Sequence, residues 1–491
     1  MPVVLTRPAP RFLLPVATMP ALAVIAAVIL LWVPFGAFDL VRREAVIWAT
    51  AAALIGLAVV AYVSARRGGA RAWRDPAFLL TAYFGYKYGF GVLALHYWAA
   101  FSWVETPGIQ TVFERWGTWD HLPLACHLFL LAGLGLYLGT AVPSGRLGDI
   151  IPGLRWRIDE RRFCMNLCIY TPIALVFFVL GRRFLPLVIR DTVLLFGWLS
   201  WVILIIAAVR VFSPGRGRRD AWVGIIVMVV GAHIALGFDI GMRGAFVYPL
   251  LLVGLGFLLA RGRLPVLTTA LVTLALVVVV VPWLTYYKIQ PHELQVPDRL
   301  AAASEEFVQG GMRGALERGV EALVGRSVGA AGMAPVFIQY FPSLYTFEYG
   351  YTFVVQAMHL VPRVIWPDKP NMSEQLNAYT RRTGMIDADD DTTTAVFDAV
   401  SEYYINFGVW GVFFLSLLQG YYFRLLHRWL VVRSTFLIGP PIFMVLLFIN
   451  FDFFGLAQSL LSHTRQLPVW IAALYLLSRD PRPPLPTPAP A

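Results

Sequence analysis

The chain has 491 residues, 58% of them hydrophobic and only 14% charged, and its net charge of +11 is almost all arginine. A soluble domain carries about 25% charged residues, so this composition excludes an ordinary soluble globular protein and indicates a polytopic membrane protein. In that class a basic excess collects in cytoplasmic loops, and none of the nucleic-acid recognition motifs is present.

Taken in order, Arg7 and Arg11 precede an apolar run, Phe12 to Phe35, that is too long for a signal-peptide core and lacks a small-residue cleavage site after it. It is expected to be a retained first span. Further apolar runs have the length needed to cross hydrocarbon: Ala45–Ser64, Ala77–Trp98, Leu122–Val142, Phe163–Leu180, Thr192–Phe212, Ala221–Phe238, Ala245–Ala260 and Leu264–Leu284. After a long polar segment come Tyr404–Leu425, Thr435–Phe454 and the shorter Leu467–Leu477. The expectation is an all-α integral membrane protein of about twelve spans.

The loops orient it. Arginines gather at 66, 67, 71 and 74, at 146 to 162, at 216 to 219, at 261 and 263, and at 424 to 433. These are alternate loops, hence cytoplasmic, with both termini on that side. The chain divides into transmembrane helices over 1–285, a large outer loop over 286–403, transmembrane helices over 404–478 and a Pro-rich tail over 479–491 expected to be disordered. A connection of roughly 115 residues is far beyond ordinary loops and marks a functional element.

Within that loop Val308, Met312, Leu316, Val320 and Val324 recur every four residues, the stripe of an amphipathic helix. Ala334–Tyr340 and Tyr351–Val361 are apolar but too short to span. They either lie in the interface or re-enter the bilayer under cover of protein. Aromatics crowd from Phe337 to Phe353, which fits both an interfacial belt and a platform for sugar stacking.

Cations on the outer face run against the positive-inside rule: Arg243, Arg326, Arg363, Lys369 and Arg465, the last with His463 in an expected outer turn. Each fits either a snorkelling or ion-paired role or a fork for phosphate oxygens. The block Pro362 to Pro370, PRVIWPDKP, is a stiff non-helical strap, because each proline restricts the residue before it. Glu402 stands before a span with Asn406 one turn on. It is either a carboxylate favoured by the helix N-terminus or a general base, for which His463 is the other candidate. The run Asp387 to Asp391 lacks calcium-loop spacing and reads as a solvated face. Cys126, Cys164 and Cys168 read as small buried apolar residues, with neither a disulfide nor a zinc site expected. There is no nucleotide-binding or metalloprotease motif, and no cofactor or metal is expected.

The strap Pro362 to Pro370 and the block Glu402-Tyr403-Tyr404-Ile405-Asn406-Phe407-Gly408 resemble the Wzy-like polymerases of bacterial surface polysaccharides, whose outer loop carries a P-R-x-x-W-P-D-K-P-like strap followed by a Glu–Tyr–x–Asn–Phe–Gly-like block. This chain has one extra residue between Tyr403 and Asn406, and Arg465-Gln466 where the family has Arg-Gly. The resemblance implies a GT-C-like glycosyltransferase in the bacterial inner membrane with its large loop periplasmic. It would join undecaprenyl-diphosphate-linked oligosaccharides and release undecaprenyl diphosphate. Arg243, Arg326, Arg363, Lys369 and Arg465 would hold diphosphates. Glu402 or His463 would activate the acceptor, and Asn406, Trp366 and Tyr403 would orient it. A chain-length-regulating co-polymerase is an implied partner. The alternatives are an O-antigen-type ligase on the same fold, or a transporter or flippase of a lipid-linked or anionic solute. Against a carrier stands a bilayer midplane nearly free of charge, Lys87 excepted.

Overall fold

A computed structural model describes residues 40–67, 74–97, 118–145, 147–184, 187–214, 219–240, 243–263, 265–290, 294–361, 365–366, 368–370, 372–385, 398–449 and 455–480. The expected first span at Phe12–Phe35, the Asp387–Asp391 run and the Pro-rich tail from 481 lie outside these. The molecule is all-α; among the described residues the only β pairing is an isolated antiparallel bridge between Ile158 and Arg479.

Helices run in chain order as α1 Leu40–Arg67, α2 Pro76–Tyr97, α3 Thr118–Ala141, α4 Glu160–Phe184, α5 Leu187–Phe212, α6 Arg219–Ile240, α7 Arg243–Arg261 and α8 Leu267–Ile289. The long connection holds α9 Val296–Tyr340, α10 Tyr351–Met358 and α11 Met372–Arg382, and α12 Ala399–His427, α13 Gly439–Ile449 and α14 Leu456–Ser478 follow. Local signals explain several boundaries. Asp75 caps α2 by accepting the Ala77 N–H at 2.9 Å, with Pro76 in the first turn. Among the described residues eight helices are long and apolar enough to cross a membrane, and Gly197–Phe212 and Gly439–Phe448 are shorter apolar helices. Only 11% of the apolar window of α8 is covered by protein, and Leu267, Leu271 and Leu274 stand exposed on it. Hydrocarbon is the solvent that makes such a surface stable. The chain is a multi-pass membrane protein.

Burial separates two packed regions. One joins α1, α2, α3 and the C-terminal part of α9 to the start of α12. The other joins α4, α5, α6 and α7 to α13, α14 and the end of α12. Lipid is as apolar as leucine, so helices in it associate through close contact of small residues. Between α3 and α12 this contact is a glycine seam. A Cβ on Gly139 would collide with the Leu417 carbonyl, one on Gly135 would lie 2.6 Å from the Phe413 carbonyl, and Gly420 lies against Leu136.

The amphipathic stripe forms a helix, but α9 breaks at Gly311 (φ 58°, ψ −167°). Before the break it packs on α8, where Trp283 Nε1 donates to Ser304 Oγ at 3.1 Å and the Arg299 guanidinium sits 4.4 Å over the Tyr287 ring. Val308 just before the break and Met312 and Leu316 just after it face outward, whereas Val320 and Val324 join the core. Ala330, Ala331, Ala334 and Phe337 are fully buried against Tyr88 and Val92 of α2 and Leu122 to Phe129 of α3. The C-terminal part of α9 therefore packs inside the bundle. Cys126 and Cys164 are buried as expected, but Cys168 is exposed on α4 beside Ile169 and Met165.

Candidate functional site

The expected span from Tyr404 is not one straight helix. Asp398 caps its start, Oδ1 accepting the backbone N–H of Val400 at 2.8 Å and of Ser401 at 3.0 Å, and also the Tyr88 hydroxyl at 3.0 Å. The helix then breaks at Gly408, whose φ of 65° and ψ of −156° only glycine adopts readily. A break leaves carbonyls without their i+4 donors. Here the chain from Glu348 to Gly350 supplies them. Glu348 N–H donates to the Ile405 carbonyl at 2.9 Å and Tyr349 N–H to the Asn406 carbonyl at 3.1 Å. Gly350 N–H donates to Asn406 Oδ1 at 2.9 Å. The Asn-Phe-Gly block of the sequence thus acquires a physical account: Asn406 locks the incoming turn, Phe407 packs tilted against Phe353 (6.0 Å) and Gly408 permits the reversal.

On the inward side of this short segment lies Glu402, 3% exposed. Its Oε1 accepts from Thr352 Oγ1 at 3.1 Å and from Gln356 Nε2, one turn apart on α10. Thr352 in turn accepts from Asn406 Nδ2 at 2.7 Å, and that amide also donates to the Glu402 carbonyl at 2.7 Å. The other carboxyl oxygen, Oε2, lies against Gly455, where a Cβ would collide with it. It therefore abuts the first turn of α14, the positive end of a helix dipole. Tyr403 fixes this junction: its hydroxyl accepts the Leu456 N–H at 2.6 Å and donates to Gln419 Oε1 at 2.9 Å. Gln356 Oε1 is buried with no hydrogen-bond partner among the described residues, an acceptor available to a substrate hydroxyl. Outside the spans, Tyr379 of α11 packs over the same turn beside Glu348; burial first, and then that carboxylate, push its phenol well above the usual range. Among the described residues no three His, Cys, Asp or Glu side chains gather as a metal site would.

The structure brings together three of the residues singled out from sequence: Glu402, Tyr403 and Asn406. Lys369 is buried, and its Nζ donates to the Val361 carbonyl at 2.8 Å, closing the strap across its own ends. Trp366 is half-buried and Asp368 exposed on that strap, and Arg363 lies outside the described residues. Arg243 begins α7 and Arg326 belongs to α9, but their side chains also lie outside what is described. His463 and Arg465 are not in a turn. Ser459, His463, Gln466, Trp470 and Leu474 form the buried face of α14, and His463 Nδ1 is 2.7 Å from the Tyr422 hydroxyl. Tyr422 is twenty residues beyond Glu402 on α12, so His463 belongs to a different level of the bundle. Arg465 is half-buried on the same helix.

Sequence reasoning missed Thr352, Gln356, Asp398, Tyr88 and Gly455. Asp398 carried a signal, an N-cap residue just before an apolar run. Thr352 and Gln356 show only i, i+4 spacing, and Tyr88 meets Asp398 across 310 residues.

Compared with known families, residues 189–449 match a domain of unknown function, DUF8712. The chain belongs to the DUF8712 family. The DUF8712 match takes in Thr352, Gln356, Glu402 and Asn406 and ends before Gly455 and α14. No curated protein and no solved structure matches the chain.

Proposed function

We propose that this protein is a membrane-embedded glycosyltransferase that polymerises undecaprenyl-diphosphate-linked oligosaccharide repeat units. The observation that carries the reading is a buried carboxylate, Glu402, with one oxygen held by Thr352 and Gln356 and the other against a helix start, at the point where a long connection enters the bundle. In this reading the acceptor hydroxyl oxygen attacks the anomeric carbon of the donor glycan. The bond from that carbon to the lipid diphosphate breaks, and undecaprenyl diphosphate leaves. The hydroxyl proton passes to Glu402 and from there to water. Gln356 Oε1 accepts from a second substrate hydroxyl, and Asn406 holds Thr352 in register. Arg243, Arg326 and Arg363 offset the charge of the leaving diphosphate; Lys369 supports the strap that carries Arg363. The finer form of the reading has about twelve spans, a GT-C-like fold, the bacterial inner membrane, cytoplasmic termini and a periplasmic loop over 286–403. A chain-length-regulating partner belongs to the same form.

The test uses the purified protein in nanodiscs, supplied with undecaprenyl diphosphate carrying the host repeat unit and no nucleotide. A ladder spaced by one repeat, lost in Glu402→Gln and Arg363→Ala, is expected. Unchanged substrate with folded wild-type protein refutes the reading. Two observations favour a second: α12 is a broken helix at Gly408, and Lys87 is buried at mid-span, features that transporters use to bind anionic solutes. A flipping assay on the same nanodiscs separates the two.

A further inference from the structure

The connection from α3 to α4 is bound into the fold along its length. Gly148 sits against the Arg428 side chain, where an added Cβ would lie 2.6 Å from Cδ. Trp429 Nε1 donates to the Pro152 carbonyl at 3.0 Å and Arg433 Nη1 to the Ile151 carbonyl at 2.9 Å. The Thr435 N–H donates to the Leu154 carbonyl at 2.9 Å, and the Asp480 N–H to the Arg157 carbonyl at 3.0 Å. A segment held in this way keeps its side chains where the fold puts them. Leu147, Ile150 and Ile151 follow the spacing of one helix face at the short turn Leu147–Ile150, and they are 59%, 70% and 50% exposed.

This trio prolongs a lipid-facing surface. Trp410, Phe414 and Leu418 stand exposed along α12, and Val432 is exposed at the end of the π-turn Arg428–Val432 that follows it. The bonds from Trp429 and Arg433 set Ile151 and Pro152 beside that end.

The charge around the trio is unbalanced. Asp149 pairs with Arg428 at 2.8 Å, Asp480 with Arg157 at 3.2 Å, and Glu160 with Arg210. Asp159 caps α4, accepting the N–H groups of Arg161 and Arg162 at 3.1 Å. The acids around the connection are thus engaged. The side chains of Arg161 and Arg162 are exposed and have no carboxylate partner among the described residues. They stand in the first turn of α4, where the helix dipole disfavours cations and favours an anion.

From this juxtaposition we infer that the α3–α4 connection is a foot that docks on the bilayer. Leu147, Ile150 and Ile151 enter the acyl boundary of the adjacent leaflet, and Arg161 and Arg162 bind the headgroups of anionic phospholipid. An apolar patch flanked by arginine is how an interfacial element holds a membrane, and an anionic leaflet attracts each cation near it. Through Arg428 and Arg433 the foot fixes the end of α12 to that leaflet. The inference stands apart from the glycosyl-transfer reading.

Two measurements test it on the full chain. In the first, a nitroxide is placed at Ile150→Cys in a chain carrying Cys126→Ala, Cys164→Ala and Cys168→Ala, in nanodiscs of phosphatidylcholine and phosphatidylglycerol. Relaxation by oxygen with little relaxation by a water-soluble nickel chelate is expected. Strong relaxation by nickel places the trio in water and overturns the docking; shielding from both reagents puts protein, not lipid, on the patch and overturns it too. In the second, native mass spectrometry of the purified chain gives the affinity for phosphatidylglycerol, with phosphatidylcholine as reference. Arg161→Gln with Arg162→Gln should weaken phosphatidylglycerol at least about fivefold, the worth of one cation near an anionic surface, and leave phosphatidylcholine unchanged. Arg161→Lys with Arg162→Lys should restore it. Unchanged phosphatidylglycerol affinity in the glutamine variant overturns the headgroup assignment. So does an equal loss for both lipids, or a lysine variant that folds, by its thermal midpoint, and binds no better than the glutamine one.

Discussion

Replacing Gly408 by alanine tests whether the break in α12 is required. At φ 65° and ψ −156° an L side chain costs about 1–3 kcal/mol. Its Cβ would stand 3.2 Å from Cζ of the Phe347 ring, and such crowding adds about 1 kcal/mol. A total of about 2–4 kcal/mol is enough to favour a straight helix. The Ile405 and Asn406 carbonyls would then return to donors within α12, releasing Glu348, Tyr349 and Gly350 and drawing Tyr403 away from Gln419 and Leu456. The control is Gly224→Ala in α6, where nothing lies within 4 Å of the new Cβ and alanine is favoured over glycine by about 0.5–1 kcal/mol. Thermal denaturation in one detergent, with the glycan-ladder assay alongside, should show Gly408→Ala less stable and inactive and Gly224→Ala at or above wild type. If Gly408→Ala matches wild type in both assays, the left-handed reversal is not what positions Glu402.

Gly455→Ala should displace the Glu402 carboxylate from the start of α14, lowering turnover at least about tenfold with a stability loss of about 1–3 kcal/mol; unaltered turnover would separate α14 from the site. Glu402→Gln should leave the thermal midpoint within a few degrees of wild type and reduce ladder formation by about 10²–10⁴-fold, the range for a lost general base. Gly139→Ala should destabilise strongly because its Cβ meets backbone on α12, whereas Gly56→Ala, with open space, should not; detergent-extracted yield and thermal midpoint give the comparison. Arg428→Gln removes an ion pair in which Nη2 donates to both Asp149 carboxylate oxygens at 2.8 Å, and a bond from Nη1 to Ser144 at 2.7 Å. The Arg428 and Asp149 side chains are both partly exposed, so about 1 kcal/mol or less is expected from the pair, seen in denaturation with activity retained.

Apolar run length made the helices legible, because a span must satisfy its own backbone in hydrocarbon, and the runs from Ala45 to Leu284 correspond closely to α1 to α8. Glu402 and Asn406 were legible as a pair because one turn of helix separates them. Their partners were not. Thr352 and Gln356 come from a segment whose sequence says only that it is apolar and short, and Tyr88 reaches Asp398 through tertiary packing alone. The misplaced turn at His463 has a local cause: Ser462-His463-Thr464-Arg465 is polar enough to look like a connection, while the buried face from Ser459 to Leu474 keeps helical spacing through it. Lys369, a phosphate candidate by charge, instead donates to the Val361 carbonyl at the far end of its own strap. The break at Gly408 was hidden inside an apolar run, where a single glycine is indistinguishable from a packing glycine until its φ is known.

The contact between Tyr88 and Asp398 also sets a clock on biogenesis. At about 5–20 residues per second, the ribosome needs roughly 15–60 s to make the 310 residues that separate them. Throughout that interval α2 lacks the α12 surface that receives Tyr88, for most of it the α9 surface is missing as well, and Lys87 has no finished interior to face. The first helices to be inserted are therefore among the last to be completed, and a nascent chain stopped before Asp398 leaves an unclosed bundle for membrane quality control to meet.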